Sequence, residues 1–207
     1  MSNRRFLLVC VLVVVAARAG AHAINVQLSQ DDIRRATEFA RFPHTDAERA
    51  RFHSRYTVAV SGPLVDYFTI EQIEVITPFR RLELIAEEHA RINDLFARGG
   101  LHDAEEALQP WRDQLSVIVH LRFDQTKVIP DVPAADVILE EGPRLVVPFD
   151  IHNSGIYTFD GDRRWLVGGL VEALFNIREI GQTKQTVVVQ WNGKEIARVP
   201  VNFAVLE

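Results

Sequence analysis

Three places in the chain set acidic residues and histidine close enough together to suggest chemistry. Glu87, Glu88 and His89 are consecutive, a grouping that could serve acid–base work or hold a metal ion. Neighbours on a helix point about 100° apart, so these three do not converge on one ion, and His89 falls on an apolar stripe where it reads as a core histidine. His120, Arg122 and Asp124 alternate along one side of an expected strand. Same-side residues on a strand sit about 6.6 Å apart, so His120 and Asp124 need a partner strand to share a ligand, and a solvated sheet face is the simpler reading. Asp150, His152, Asp160 and Asp162 bracket a turn-rich stretch, and carboxylates on a loop suit a hard cation such as calcium. Only two carboxylates stand close together there, in Asp160-Gly161-Asp162, before Arg163-Arg164 reverses the charge. The patterns Gly-x-Ser-x-Gly, Gly-x4-Gly-Lys, Ser-x-x-Lys and His-Glu-x-x-His are absent. No catalytic residue and no cofactor-binding residue is assigned.

The sharpest chemical possibility depends on where the chain is cut. Arg4 and Arg5 precede an unbroken apolar run over 6–17, closed by Arg18 and followed by Ala19, Gly20, Ala21, His22 and Ala23. A basic start, a short apolar core and small residues spaced for cleavage read as a secretory signal peptide over 1–23. The run is well short of the roughly 20 residues that span a bilayer as a helix. Cleavage after Ala23 would leave Ile24 first, and cleavage after Ala21 would leave His22 first. An N-terminal histidine presents its amino nitrogen and its imidazole to one copper ion, and such an end would resemble that of copper carriers and of oxidative polysaccharide-cleaving enzymes. A second histidine, His120 or His152, would have to complete the site. His22 is therefore the one candidate metal ligand, and copper the one candidate cofactor.

Compartment and charge narrow the partners. The single cysteine, Cys10, lies in the signal core, so the exported chain carries no thiol and no disulfide. Removing 1–23 changes the net charge from −5 to about −8. An acidic chain without a basic run has no electrostatic footprint for nucleic acid, and no later segment is apolar enough to span a membrane. The expected location is the periplasm or the extracellular space.

The elements that must carry these residues follow from changes of hydrophobic period. Ser29 with Asp32, and Thr45 with Glu48, are capping pairs for two short helices, the first with Ile33, Ala36, Phe39 and Ala40 at helical spacing. Strands are expected over 56–61 and 65–76. Thr77-Pro78 then opens a long helix with Phe79, Leu82, Ile85, His89, Ile92 and Phe96 on one stripe, stopped by Gly99-Gly100. A shorter helix is expected from Asp103 as N-cap to about Trp111. Leu115, Val117, Val119, Leu121 and Phe123 alternate with polar residues as a strand with one buried and one wet face. A hairpin is expected around Glu141-Gly142-Pro143, a turn-rich loop over 152–162, and two strands, 165–167 and 170–177, separated by Gly168-Gly169. Asn192-Gly193 is a type I′ turn signal joining 186–191 to 194–206, with Pro200 marking a bulge or an edge.

These readings predict an α+β chain: a helical segment over 24–55 and an antiparallel β-sandwich over 56–207, with a helical hairpin inserted at about 78–112. The sandwich resembles the immunoglobulin-like class in architecture only. The missing motifs favour an exported, non-catalytic binding or assembly protein over an enzyme. A protein partner is expected to meet it at strand edges near Pro200 or at the inserted hairpin, through Phe79 and Trp111.

Overall fold

Reciprocal caps start the first two helices, as the sequence pairs require. In the computed structural model, which describes residues 24, 27–41, 45–62, 64–92, 96, 101–181 and 183–206, helix α1 (Gln30–Arg41) opens on Ser29. The Asp32 N–H donates to Ser29 Oγ at 3.2 Å and the Ser29 N–H donates to Asp32 Oδ2 at 2.8 Å. Thr45 and Glu48 repeat the exchange at the head of α2 (Asp46–His53). Each pair satisfies two backbone donors that a helix start leaves without partners.

Helix α3 (Pro78–Arg91) begins on the Thr77 cap with Pro78 in its first turn, then ends earlier than expected, at Ile92. Helix α4 (Leu101–Leu108) starts ahead of Asp103, which thus lies inside the first turn rather than at the cap; a 3-10 turn over Gln109–Trp111 follows. The apolar stripe also differs. Phe79 and Leu82 pack with Ile33 and Ala36 of α1 and Ala104 of α4, but Ile85 is half-buried and Ile92 is exposed. The other flank that α3 buries is charged: Arg80, Glu83 and Glu87. Among the described residues no helix is long and apolar enough to cross a membrane.

Among the described residues, nine strands form two antiparallel sheets. The larger runs β1 (Thr57–Ala59), β2 (Phe68–Ile76), β3 (Gln114–Phe123), β7 (Arg163–Asn176) and β6 (Asp150–Asp160), in that spatial order. The smaller runs β5 (Arg144–Val146), β4 (Asp136–Glu141), β8 (Lys184–Trp191) and β9 (Lys194–Asn202). The odd-numbered residues of β3 and those of β7 from Val171 to Phe175, among them Val117, Val119, Val171 and Phe175, share one core with Val137, Leu139, Val187 and Val189 of the smaller sheet. The fold is an α+β sandwich in which α3 lies against the second face of the larger sheet. That face of β3 is consequently not wet along its whole length: Ser116 is buried and bonded to Arg81 Nη2 at 2.6 Å.

Two further expectations are corrected, and the Pro200 reading is narrowed to one of its two alternatives. The stretch 152–162 is not a loop but most of β6, joined to β7 by a tight turn at Gly161 (φ 59°). Pairing with β7 from Asp150↔Leu174 to Asp160↔Arg163 overrides the turn preference of Asn153, Ser154 and Gly155. Gly168-Gly169 does not break β7, which is continuous, because the glycines admit close neighbours. A Cβ on Gly168 would lie 2.7 Å from the Leu121 carbonyl oxygen, and one on Gly169 would lie 2.8 Å from Val132. Pro200 lies on the edge strand β9 opposite Thr186, but the irregularity of that ladder is between Val189 and Gln190, so Pro200 marks an edge and not a bulge. The Asn192-Gly193 turn has both residues at positive φ, 51° and 71°, as a type I′ turn demands.

Gly168 supplies a direct check of this packing. Gly168→Ala must push β3 and β7 apart and is expected to lower stability by about 1–3 kcal/mol. At Gly62 the nearest atom to an added Cβ is 3.9 Å away, and Gly62→Ala should leave the urea midpoint close to that of the parent.

Candidate functional site

The candidate residues of the sequence do not gather into one place. His22 lies outside the described residues. Glu87, Glu88 and His89 diverge: Glu87 is buried and accepts from Arg49, Glu88 pairs with Arg91 on the surface, and His89 is half-buried and stacks on Phe96 at 4.4 Å. His120 is occupied by Glu74 at 3.3 Å on β2, while Asp124 closes a local turn with Thr126. Asp150 and Asp160 stand at opposite ends of β6, which at ordinary strand rise is roughly 33 Å, so the acidic group read as a calcium loop cannot converge. Among the described residues no three His, Cys, Asp or Glu side chains are grouped to hold a metal ion. Of the aromatics expected to meet a partner, Phe79 is buried between helices and Trp111 lies beneath the Arg81 guanidinium at 3.9 Å.

What the structure does bring together is a network of charges between α2, α3 and the larger sheet. Arg80, only 2% exposed, donates through Nη1 to Glu83, and through Nη2 to His53 Nδ1 and to Glu74 Oε1 at 3.4 Å. Its guanidinium lies over the rings of Phe52 and Tyr56 at 5.6 and 5.2 Å. Arg49 donates to Glu87 Oε1 at 2.6 Å, and His53 Nε2 is 3.8 Å from Glu87 Oε2. Arg81 reaches Glu172 on β7 at 3.2 Å. Glu83 is fully buried, and its Oε1 has no hydrogen-bond partner among the described residues.

Ionisation in this network follows from burial and charge balance. Desolvation pushes the Glu83 carboxyl up to about 7, against the pull of Arg80. Desolvation, reinforced by Arg80, holds His53 below the ordinary imidazole value. Glu74 is held below the usual carboxylate range because its bonds to His120 and Arg80, together with their charges, outweigh its own burial. Below about pH 7, where Glu83 is mostly protonated, Arg49 is paired with Glu87 and Arg80 with Glu74. Since His53 Nδ1 accepts from Arg80, protonating it there would set two cations against each other. The cluster thus holds its members in fixed roles, with His53 half-buried at its rim.

The other distinctive feature is the outer side of the larger sheet. Two sheets have four edges, and natural proteins blunt such edges to prevent unwanted pairing. Here β1 and β5 are each three residues long. The β9 edge carries Lys194, Glu195, Arg198 and Pro200, all exposed. The fourth edge, β6, has 11 residues, no proline and no lysine, and between Asp150 and Asp160 its only titratable side chains are His152 and Tyr157. Along β6 the even-numbered main-chain groups face β7 and the odd-numbered ones face outward. Ile177 N–H sets this sense by donating to Asp113 O at 2.9 Å, which turns the odd-numbered groups of β7 toward β3. The register shift near Ile156 takes up an extra residue on β7, Val167, so β6 keeps its alternation. The outward Ile151 N–H is taken by the Asp150 carboxylate at 2.9 Å.

The far half of the β6–β7 hairpin stands clear of the smaller sheet and exposes Ile156, Tyr157, Phe159 and Trp165, Phe159 to 72%. Arg164 lies over the Tyr157 ring at 3.4 Å. At the near end, a cleft of about 280 Å³ opens where β5 gives way to β6, lined by Val137, Ile138, Val147, Pro148, Ile151 and Gln190. Sequence reasoning missed this strand. The signal that could have found it is Gly161-Asp162, a two-residue hairpin pair, flanked by the strand formers Tyr157, Phe159 and Trp165.

The network makes a pH prediction whose sign can be worked out residue by residue. Glu83, raised when folded, contributes stability that is full below its ordinary value of 4.5 and is lost as pH rises through about 7. His53, lowered when folded, contributes stability that is full above 6.5 and is lost as pH falls through its folded value. Between those ordinary values the slopes oppose, because folding moves a proton from the imidazole to the carboxyl. In urea titrations from about pH 5 to about 6.5, His53→Gln should therefore lose stability with rising pH relative to the parent. Glu83→Gln should gain it. Identical slopes in the two variants would contradict the assignment.

Comparison with known proteins gives no match to this chain from any family model, any curated protein or any solved structure.

Proposed function

We propose that this is an exported binding or assembly protein that engages a polypeptide partner at the β6 edge and the aromatic end of the β6–β7 hairpin. The reading rests on one observation: three of the four sheet edges are short or guarded by charge and proline, and the longest is unguarded. An incoming strand would bond to the outward main-chain groups of Asn153, Gly155, Tyr157 and Phe159, while the exposed rings supply apolar contact. This is recognition by strand addition, in which the backbone gives affinity and alternate side chains give selectivity. Tyr and Trp at the contact suit such a role because they combine large apolar area with few rotatable bonds. The signal-like start at 1–23 supports work in the periplasm or outside the cell.

Two measurements test the two halves of the proposal. The intact mass of protein recovered from an exporting host should correspond to a chain beginning at Ile24 or His22; a retained Met1 in the exported fraction would defeat the location. For the binding edge, a photo-crosslinking amino acid placed at Phe159 should yield polypeptide adducts in the exporting cell, while one at Arg198 on β9 should yield few. Asn153→Pro should remove the Phe159 adducts. The Asn153 N–H faces outward, so proline there forfeits no bond to β7, and the thermal transition should change little. Equal yields from β6 and β9 would overturn the reading.

A further inference from the structure

We infer that the strand received by β6 is β6 of a second copy, paired antiparallel about a two-fold axis through Ile156, so that two larger sheets join into one of ten strands. The inference rests on the reading of β6 as the binding edge and adds the identity of its occupant.

A strand can pair with its own copy only in registers that place outward-facing main-chain groups opposite one another, which puts the axis on a single residue. An axis through Gly155 sets Asp150 against Asp160 of the other copy, twice, and like charges directly opposite are unfavourable. An axis through Tyr157 shortens the ladder and leaves His152 beyond its end. With the axis at Ile156 the ladder runs from His152 to Asp160, and every opposed pair is compatible. His152 faces Asp160, so an imidazole meets a carboxylate at each end. Ser154 faces Thr158, hydroxyl to hydroxyl, and Ile156 faces itself. On the other side of the sheet, Asn153 faces Phe159 and Gly155 faces Tyr157, small against large. The next pair out would be Asp150 and Asp162, but β6 ends at Asp160 and Asp162 is already in the turn.

The main chain agrees with this register. Asn153, Gly155, Tyr157 and Phe159 carry the outward groups, and they pair among themselves: Asn153 with Phe159, and Gly155 with Tyr157. All their donors and acceptors are matched across the axis. Nothing on β6 opposes the approach, because no proline or lysine interrupts it and its one histidine, His152, meets a carboxylate. Such an interface is self-complementary, as a two-fold contact must be.

The register can be read with single cysteines. In a Cys10→Ser background an introduced cysteine is the only thiol. Opposed residues of a non-hydrogen-bonded antiparallel pair have Cα atoms about 4.5 Å apart, inside the disulfide range. Ile156→Cys should therefore oxidise to a covalent dimer, while Ser154→Cys and Thr158→Cys should each remain largely monomeric alone and form the mixed dimer when combined. Arg198→Cys on β9 serves as the random-collision control. The protein without introduced cysteine should sediment at twice the chain mass, and Asn153→Pro at the chain mass. If Ile156→Cys dimerises no faster than Arg198→Cys, the second copy is excluded. If Phe159 adducts to another polypeptide persist in that case, the binding edge stands and only its occupant is wrong. If the adducts are missing as well, both readings fall.

Discussion

Arg80 sets the condition that the rest of the architecture has to meet. Its guanidinium is almost completely removed from water, and burying a cation is tolerable only when charge and hydrogen bonds surround it. Glu74 from β2, Glu83 from the same helix and His53 from α2 provide that surround, so three elements are held in one arrangement by one side chain. The consequence is clearest for α2, which fully buries none of its residues and whose apolar anchor is the half-buried Phe52, packed against both core clusters. It is attached by Arg49 to Glu87, by His53 to Arg80, and by Phe52 beneath that guanidinium. These polar ties make the seating of α2 depend on the protonation of Glu83, raised to about 7, and of His53, held below its ordinary value.

The same helical layer explains where the sheet is closed and where it is open. From α3, Arg80 reaches β2 and Arg81 reaches Ser116 on β3 and Glu172 on β7. Beyond β7, the β6 residues Ser154, Ile156, Thr158 and Asp160 on that face are exposed. The larger sheet has one more strand, and the smaller sheet has four strands to its five, so the distal half of β6 is covered on neither face. An edge strand in that position is exposed along its edge and on both faces. Its aromatic residues therefore cannot be explained as core that happens to be at the rim, as Phe79 and Trp111 can.

How far the sequence revealed this depends on whether the deciding forces were local. The capping pairs Ser29 and Asp32, Thr45 and Glu48, and the Asn192-Gly193 turn are interactions within a few residues, and each forms as its spacing implies. The alternation in β3 was legible because one face packs in the core. The stretch 152–162 was not, because a strand exposed on both sides has no hydrophobic alternation, and its Asn, Ser and Gly residues favour turns until β7 pairs with them. The charged flank of α3 was hidden for a related reason. Arg80, Glu83 and Glu87 share one side of the helix, which read alone looks solvated; only the arrival of Glu74, His53 and Arg49 from other elements makes their burial affordable. The copper possibility at His22 depends on a cleavage position, which the fold of 24–206 does not address.

One row of the larger sheet connects these two regions. Glu74 lies opposite Ile118, Ile118 opposite Glu172, and Glu172 opposite His152, so a single line across four strands runs from the Arg80 cluster to the open edge. At one end the Glu74 carboxylate is half-buried and bound by Arg80 and His120. In the middle Glu172 is held by Arg81, and at the far end His152 is exposed, with Asp150 at 3.3 Å. The row becomes progressively wetter as the helical roof recedes, and its last member is the residue that a partner strand would meet first. An imidazole at that point can hydrogen-bond an acidic strand end, whereas a lysine would be the ordinary device for keeping strands away. The edge of β6 therefore differs from the guarded β9 edge in carrying a histidine in place of lysine and arginine, as well as in its length.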